Sequence, residues 1–325
     1  MRKISFSKAI NEALQEEMRK NSSIIIMGED VAVAGGVRGV TKGLLDEFGE
    51  DRVKDTPISE ATIVGAGVGA AISGLRPVVE IMYSDFLGIA GDEVFNKMAK
   101  WRYEHGGTME VPMVLRTACG GGFGGAAEHS QSLESMYMHI PGLRLVYPST
   151  PADAKGLLKT LLNQNDAAIF FEHRLLYKVE GEVPEGDYSI PLGVADIKRP
   201  GKDVTIVAIG YQVLNALKAA EQLSVEGIDV EVIDPRTLAP LDKETFLRSV
   251  AKTGRLVVVE EGHKTGGVGA EIAAIVAEEG IYYLEAPIKR VAALDVPIPY
   301  SPPMESFVLP SVDKIIRAVR EVLVD

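Results

Sequence analysis

The 325-residue chain is poor in cysteine. Cys119 stands alone, so no intrachain disulfide can form and a thiolate metal site cannot be assembled. It also lacks an excess of positive charge: 34 Lys and Arg against 46 Asp and Glu leave a net charge of −12, which argues against a nucleic-acid binder. No apolar run reaches the roughly 18 residues that a membrane span needs. The opening stretch MRKISFSKAI has basic residues but not the apolar core of a signal peptide. No Gly-x-Ser-x-Gly elbow supplies a hydrolase nucleophile. The five histidines (His105, His129, His139, His173 and His263) show no paired ligand spacing, so no metal site is expected. What remains is a globular chain, 46% apolar and 25% charged, expected in the reducing cytoplasm and long enough for two domains.

The apolar pattern carries the fold. Phe6, Ile10, Ala13, Leu14 and Met18 recur at helical spacing and predict an amphipathic opening helix. Ile24 to Met27 reads as a buried strand running into Gly28-Glu29-Asp30. Further strands are expected at 77–82, 111–117, 143–147 and 168–172. Phe86, Ala90, Val94, Met98 and Trp101 mark one long helix, and Pro151 starts another that reaches about Gln164. From 177 to 202 the pattern weakens into a connection rich in glycine, proline and charge. The expected division is therefore a first domain over 1–180, a linker over 181–202 and a second domain over 203–325. In the second, strands at 204–209, 229–233 and 255–260 alternate with helices at 213–224, 270–279 and 308–324. This alternation implies an α/β fold, two domains of mainly parallel sheet with helices on both faces.

Parallel sheets gather functional groups at the carboxyl ends of their strands. Glu29, Glu60, Asp85 and His129 each follow a predicted strand. Thr56-Pro57-Ile58-Ser59-Glu60 leads into a helix rich in glycine and alanine, with Ser59 as N-cap and Glu60 in the first turn. On position alone, such an acid complements the helix dipole. Gly65 to Ala70, with Asp85 beyond, loosely matches a dinucleotide fingerprint, which would make the chain a NAD-dependent dehydrogenase. The helix has already begun at Ser59, however, so those glycines should lie on a packing face. Gly266-Gly267-Val268-Gly269 sits between a strand and a helix without the rest of a phosphate motif, and reads as a tight turn. His129 ends a loop containing Gly120, Gly121, Gly122, Gly124 and Gly125, a setting that suits a proton donor or acceptor.

Five motifs now stand in order: Gly28-Glu29-Asp30-Val31, Thr56-Pro57-Ile58-Ser59-Glu60, Glu128-His129-Ser130-Gln131-Ser132, Pro141-Gly142-Leu143, and the run from Asp234 through Pro235-Arg236-Thr237-Leu238 to Asp242. Together, and over essentially the whole chain, they resemble the beta subunit of the thiamine-diphosphate-dependent dehydrogenase component of 2-oxo acid (pyruvate or branched-chain) and acetoin dehydrogenase complexes. The resemblance implies a transketolase-like pyrimidine-binding domain followed by a transketolase C-terminal-type domain. It gives Glu60 the role of hydrogen-bonding to a pyrimidine nitrogen of thiamine diphosphate. It places Ile58, Ser59, Met82, Phe86, Leu87, Gly88 and Ile89 around that ring, with Glu29 near it. Tyr83, Ser84 and Asp85 would border the substrate, and His129 would serve substrate handling and acyl transfer to lipoyl.

Met82 stands where the family often has glutamine. The Gly-Asp-Gly motif that holds diphosphate and magnesium in family partners is missing; Gly91-Asp92-Glu93 fails at its third residue. The resemblance therefore implies half a cofactor site, an alpha subunit that holds the other half, a two-plus-two heterotetramer and a lipoyl-bearing acyltransferase. Some relatives bind potassium near the positions of Leu161, Leu162, Gln164 and Asp166, but Gln164 replaces a common acid and the ion is left unclaimed. The C-terminal half of a split transketolase is the same-fold alternative, although the 119–132 loop has none of the basic residues that sugar phosphates call for.

Overall fold

The computed structural model describes residues 1–324. Their contacts group into two units: Met1–Cys119 with Met136–Leu192, and Gly120–Ser135 with the chain from Gly193 onward. The glycine-rich segment before and beyond His129 thus groups with the second unit, where the sequence division had put it in the first.

The chain passes in order through β1 (Arg2–Ser5), α1 (Phe6–Lys20), β2 (Ile24–Gly28), α2 (Leu44–Phe48), β3 (Val53–Asp55), α3 (Glu60–Ile72), β4 (Arg76–Ile81), α4 (Ala99–Glu104), β5 (Val114–Cys119), α5 (Glu134–Met138), β6 (Arg144–Val146), α6 (Pro151–Asn163), β7 (Ala168–His173) and β8 (Glu180–Val183). In the first unit, six strands run in the order β6-β7-β5-β4-β2-β3, and every one of these pairs is parallel. Such strands need apolar residues on both faces, which is why Ile24-Ile25-Ile26 and Ala168 to Phe171 read as unbroken apolar runs. Helix α1 starts where Ser5 accepts the Lys8 amide, and it packs on α6. Between them lie the buried Lys155 and Lys159, paired with Glu12, Glu16 and Glu17.

Two expectations for this unit change. The long helix over 86–101 is broken: Ser84–Gly88 winds as a 3₁₀ turn and Glu93–Met98 as a π-helix before α4. An apolar step of three or four residues cannot tell these windings apart. The expected linker is also structured at its start, since β8 pairs antiparallel with β1.

The second unit continues with β9 (Asp196–Arg199), β10 (Val204–Ala208), α7 (Gln212–Val225), β11 (Val230–Asp234), β12 (Thr237–Ala239), α8 (Lys243–Thr253), β13 (Leu256–His263), α9 (Val268–Glu279), β14 (Lys289–Ala293), α10 (Pro302–Val308) and α11 (Val312–Val324). Its sheet runs β14-β13-β10-β11-β9; only β9 is antiparallel. The core forms between this sheet and α7 and α11, with Val204, Ile206, Val257, Val259, Ala216, Leu223 and Val319 among its buried residues. The helix expected over 308–324 is α11, which begins four residues later, while Val308 ends the preceding α10. Pro310 has no amide to donate and disfavours helix at the residue before it, so α10 stops at Val308 and α11 restarts beyond.

Candidate functional site

The first unit gathers most of the expected residues at the carboxyl ends of its strands. Glu29 follows β2 directly. The Thr56 amide donates to Gly28 O at 2.9 Å, which ties the stretch leading to Glu60 to the end of the same strand. Asp55 accepts the Ala32 and Val33 amides at 2.7 and 3.1 Å and so fixes the loop after Glu29. Glu60 opens α3 and is buried, at 8% exposed. Burial, and then the Glu60 carboxylate and Asp30, push the Glu29 carboxyl above its ordinary value. Ser59 occupies the N-cap position, but its hydroxyl donates to Thr62 Oγ1 at 2.7 Å and caps no amide. That leaves the acid in the first turn to face the positive end of the helix.

Helix α3 lies close against the sheet. A methyl group on Gly67 would sit 2.7 Å from Val79 Cγ2 and 2.8 Å from Met113 Cε. The glycines of the loose dinucleotide pattern are thus inside the helix, with Gly67 on its packing face, as expected.

After β4 the chain turns sharply. The Tyr83 and Phe86 rings meet edge to face at 5.6 Å. Met82, Tyr83, Asp85 and Phe86 are half-buried, while Ser84 and Leu87 are fully buried. Leu87 therefore packs into the core and can offer a ligand only its backbone. Ile58 and Ile89 are exposed, at 80% and 60%, beside the buried acid and the aromatic turn in sequence.

The sequence singles out Arg116-Thr117 and the Phe171-Glu172-His173 strand end as features of acetoin- and pyruvate-type members, but not the pairing of Arg116 with Glu172. Arg116 on β5 is completely buried, donating to Glu172 Oε1 and Oε2 at 2.7 and 2.9 Å and to Glu80 Oε2 at 2.6 Å. Tyr177 adds its hydroxyl to Glu172 at 2.8 Å. Arg174 lies over the Tyr83 ring at 4.7 Å, and with Arg38, Met82 and Tyr83 it lines a small pocket. Arg174 directly follows β7, so the strand-end rule could have found it; Arg38, on a loop, offered no such signal.

His129 is carried by the second unit, half-buried on the 120–135 segment. In the same unit the Gly266–Gly269 turn is filled by the chain's own carboxylate. Glu260 Oε1 accepts the Gly269 amide at 2.9 Å, and methyl groups at Gly267 or Gly269 would fall within 2.6 Å of Glu260 oxygens. Among the described residues, no group of three or more His, Cys, Asp or Glu is arranged to hold a metal ion. No helix among them is long and apolar enough to cross a membrane.

Two parallel-sheet units, with a buried acid at a helix start and glycine-rich close packing, define a transketolase-type protein. Residues 2–180 match the family model of the transketolase pyrimidine binding domain, and residues 193–315 that of the transketolase C-terminal domain. The acetoin:2,6-dichlorophenolindophenol oxidoreductase subunit beta of Bacillus subtilis (strain 168) is 50% identical over 334 residues, covering 99% of this chain and 98% of that one. The 2-oxoisovalerate dehydrogenase subunit beta of the same organism is 45% identical over 320 residues, covering 98% of each. A solved structure described as a split gene transketolase, inactive beta4 tetramer, superposes with a TM-score of 0.81 at 24% identity over 99% of this chain and 98% of that chain, which shows the shared fold. The chain belongs to the beta subunits of the thiamine-diphosphate-dependent 2-oxo acid and acetoin dehydrogenases. That family, rather than the split transketolase, accounts for its sequence at 44–50% identity over almost its full length.

The residues present fit one end of that cofactor. A buried carboxylate can hydrogen-bond to a ring nitrogen, and exposed aliphatic side chains suit the faces of a flat heterocycle. The sequence has no Gly-Asp-Gly motif for the diphosphate end.

Proposed function

We propose that this chain, paired with an alpha subunit in a two-plus-two heterotetramer in the cytoplasm, cleaves acetoin or oxidatively decarboxylates a 2-oxo acid and delivers the acyl group to a lipoyl-bearing acyltransferase. The observation that carries this reading is Glu60, buried at the first position of α3 beside Glu29. Identity of 50% to an acetoin oxidoreductase subunit, against 47% to a pyruvate and 45% to a branched-chain subunit, makes acetoin the first substrate to test.

In this reading Glu60 holds a proton between its carboxyl oxygen and the pyrimidine nitrogen. Ile58, Ser59, Met82, Phe86, Gly88 and Ile89, with the Leu87 backbone, enclose the ring and exclude water from it. Glu29 adds a second carboxyl, whose proton affinity is raised by burial and then by Glu60 and Asp30. Tyr83, Ser84, Asp85 and His129 border the substrate, and the alpha subunit holds the diphosphate and magnesium. When bound, thiamine diphosphate supplies the nucleophilic carbon and the electron sink for carbon–carbon cleavage.

The test is co-expression with the alpha subunit, followed by turnover with acetoin, pyruvate and branched 2-oxo acids in a dye-linked assay. Glu60→Gln is expected to lower turnover at least about a hundredfold, the scale of a lost proton-handling group, with circular dichroism unchanged. Wild-type turnover in that variant would refute the assignment.

A further inference from the structure

The glycines of the 120–125 segment have structural reasons that point away from mere flexibility. Gly120, Gly122 and Gly124 stand at φ of +86°, +88° and +75°, where other residues are strained. A methyl group on Gly121 would lie 3.1 Å from Leu309 Cδ1 and 3.2 Å from Glu305 Oε1. The amides of this run are turned onto two carboxylates. The Gly121 amide donates to Glu261 Oε1 at 2.6 Å. Those of Gly122 and Gly124 donate to Glu305 at 2.8 and 3.1 Å, one to each oxygen. Glu261 and Glu305 are only 6% and 4% exposed, and Glu261 is braced by the Gln212 amide at 2.9 Å.

Each of these bonds joins a backbone amide to a buried carboxyl oxygen, so the loop's donors are satisfied within the chain. They offset the cost of ordering the backbone, which is highest for glycine. From the clamp to His129 the chain is short and compact. The Gly120 amide closes the base of the loop on Gln131 O at 3.1 Å. Gly125 lies so close to the Phe123 ring and to Ser130 Oγ that a methyl group there would stand 2.2 and 2.7 Å from them. Ala126 takes a left-handed φ of +59°.

We propose that Glu261 and Glu305 are positioning residues for His129: by holding the Gly121, Gly122 and Gly124 amides they set where the imidazole is presented during acyl transfer to lipoyl. This rests on the reading of His129 given above. A fold-stabilising carboxylate would affect every step alike, whereas a clamp on the His129 loop affects the lipoyl step selectively.

The experiment uses the enzyme reconstituted with its alpha subunit, with two readouts. Hydrogen exchange of peptides spanning 120–131 reports the clamp. The ratio of the lipoyl-dependent to the dye-linked kcat reports the function. Glu305→Ala is expected to speed exchange in that segment alone and to lower the ratio about ten- to a hundredfold, the effect of misplacing a reacting group by about an ångström. Glu305→Gln, which keeps one acceptor, should recover part of both, and Glu261→Gln gives the same comparison if the alanine variant does not fold. Unchanged exchange, or both rates falling together, overturns the clamp when His129→Ala still lowers the ratio. An unchanged ratio in His129→Ala overturns instead the role of His129, and with it the positioning claim.

Discussion

Arg116 shows what single residues contribute to a site they do not touch. Its buried guanidinium satisfies the buried Glu172 with two bonds and the half-buried Glu80 with a third. Burial pushes the Glu172 carboxyl up, against the opposing pull of Arg116. Removing the cation would leave the buried Glu172 facing the half-buried Glu80 with no counter-charge, so Arg116→Met should lose about 3–5 kcal/mol, read as a lower denaturant midpoint. A cost below about 1 kcal/mol would show that the network is not a closed ion pair. Glu134 makes a complementary case. Both its oxygens are buried without a hydrogen-bond partner, and burial, then Glu260 and Glu261, push its carboxyl up to about 8. The folded chain therefore holds this proton more tightly than the unfolded one, whose carboxyl titrates near 4.5. Stability from this group is fully present below 4.5 and declines as pH rises towards 8, by about 1.4 kcal/mol per pH unit. Glu260, pushed up to about 7 chiefly by burial, acts in the same direction. Unfolding measured at pH 5, 6 and 7 should show a shallower decline in Glu134→Gln than in the unmodified chain; parallel slopes would mean that Glu134 is already ionised.

At the scale of elements, α3 is the most revealing. Its glycines look interchangeable in the sequence but are not in the structure. Gly67 presses on Val79 and Met113, whereas nothing lies within 4 Å of a methyl group built on Gly69. Gly67→Ala should therefore cost about 1–3 kcal/mol through overpacking, and Gly69→Ala should stabilise by about 0.5–1 kcal/mol through helix propensity. Thermal melts of the pair decide it, and equal effects would mean that α3 does not sit so close to the sheet. The helix itself was legible because proline, serine and an acid precede a run of small residues. The seating of Gly121 and Gly122 was not, because their carboxylates lie 140 and 183 residues along the chain. Nor was the bond from Arg116 to Glu172, which depends on β5 and β7 lying side by side across 56 residues. Period and punctuation report local winding; pairing across parallel crossovers leaves no local trace. Even winding is reported only coarsely, as the 3₁₀ and π segments within the expected 86–101 helix show.

For the whole molecule, the alternation of strands and helices announced two α/β units, and the motifs running from Glu29 to Asp242 announced the family. The exchange of residues 120–135 into the second unit was not announced, because a chain that leaves one unit and returns carries no compositional mark. The absence of a diphosphate motif from the sequence has a direct test. The isolated chain should show no thiamine-dependent turnover, and activity should appear on addition of the alpha subunit in proportion to the complex formed. Turnover by the isolated chain would mean that the diphosphate end is held in a way the sequence motifs do not anticipate.

Ile58 and Ile89 carry a further consequence. Aliphatic side chains this exposed are an asset only while something covers them. In the proposed reading the cofactor covers both, so a beta chain made ahead of its partner would hold them open to water, and pairing with the alpha subunit in the presence of thiamine diphosphate should protect the chain from proteolysis more than either alone.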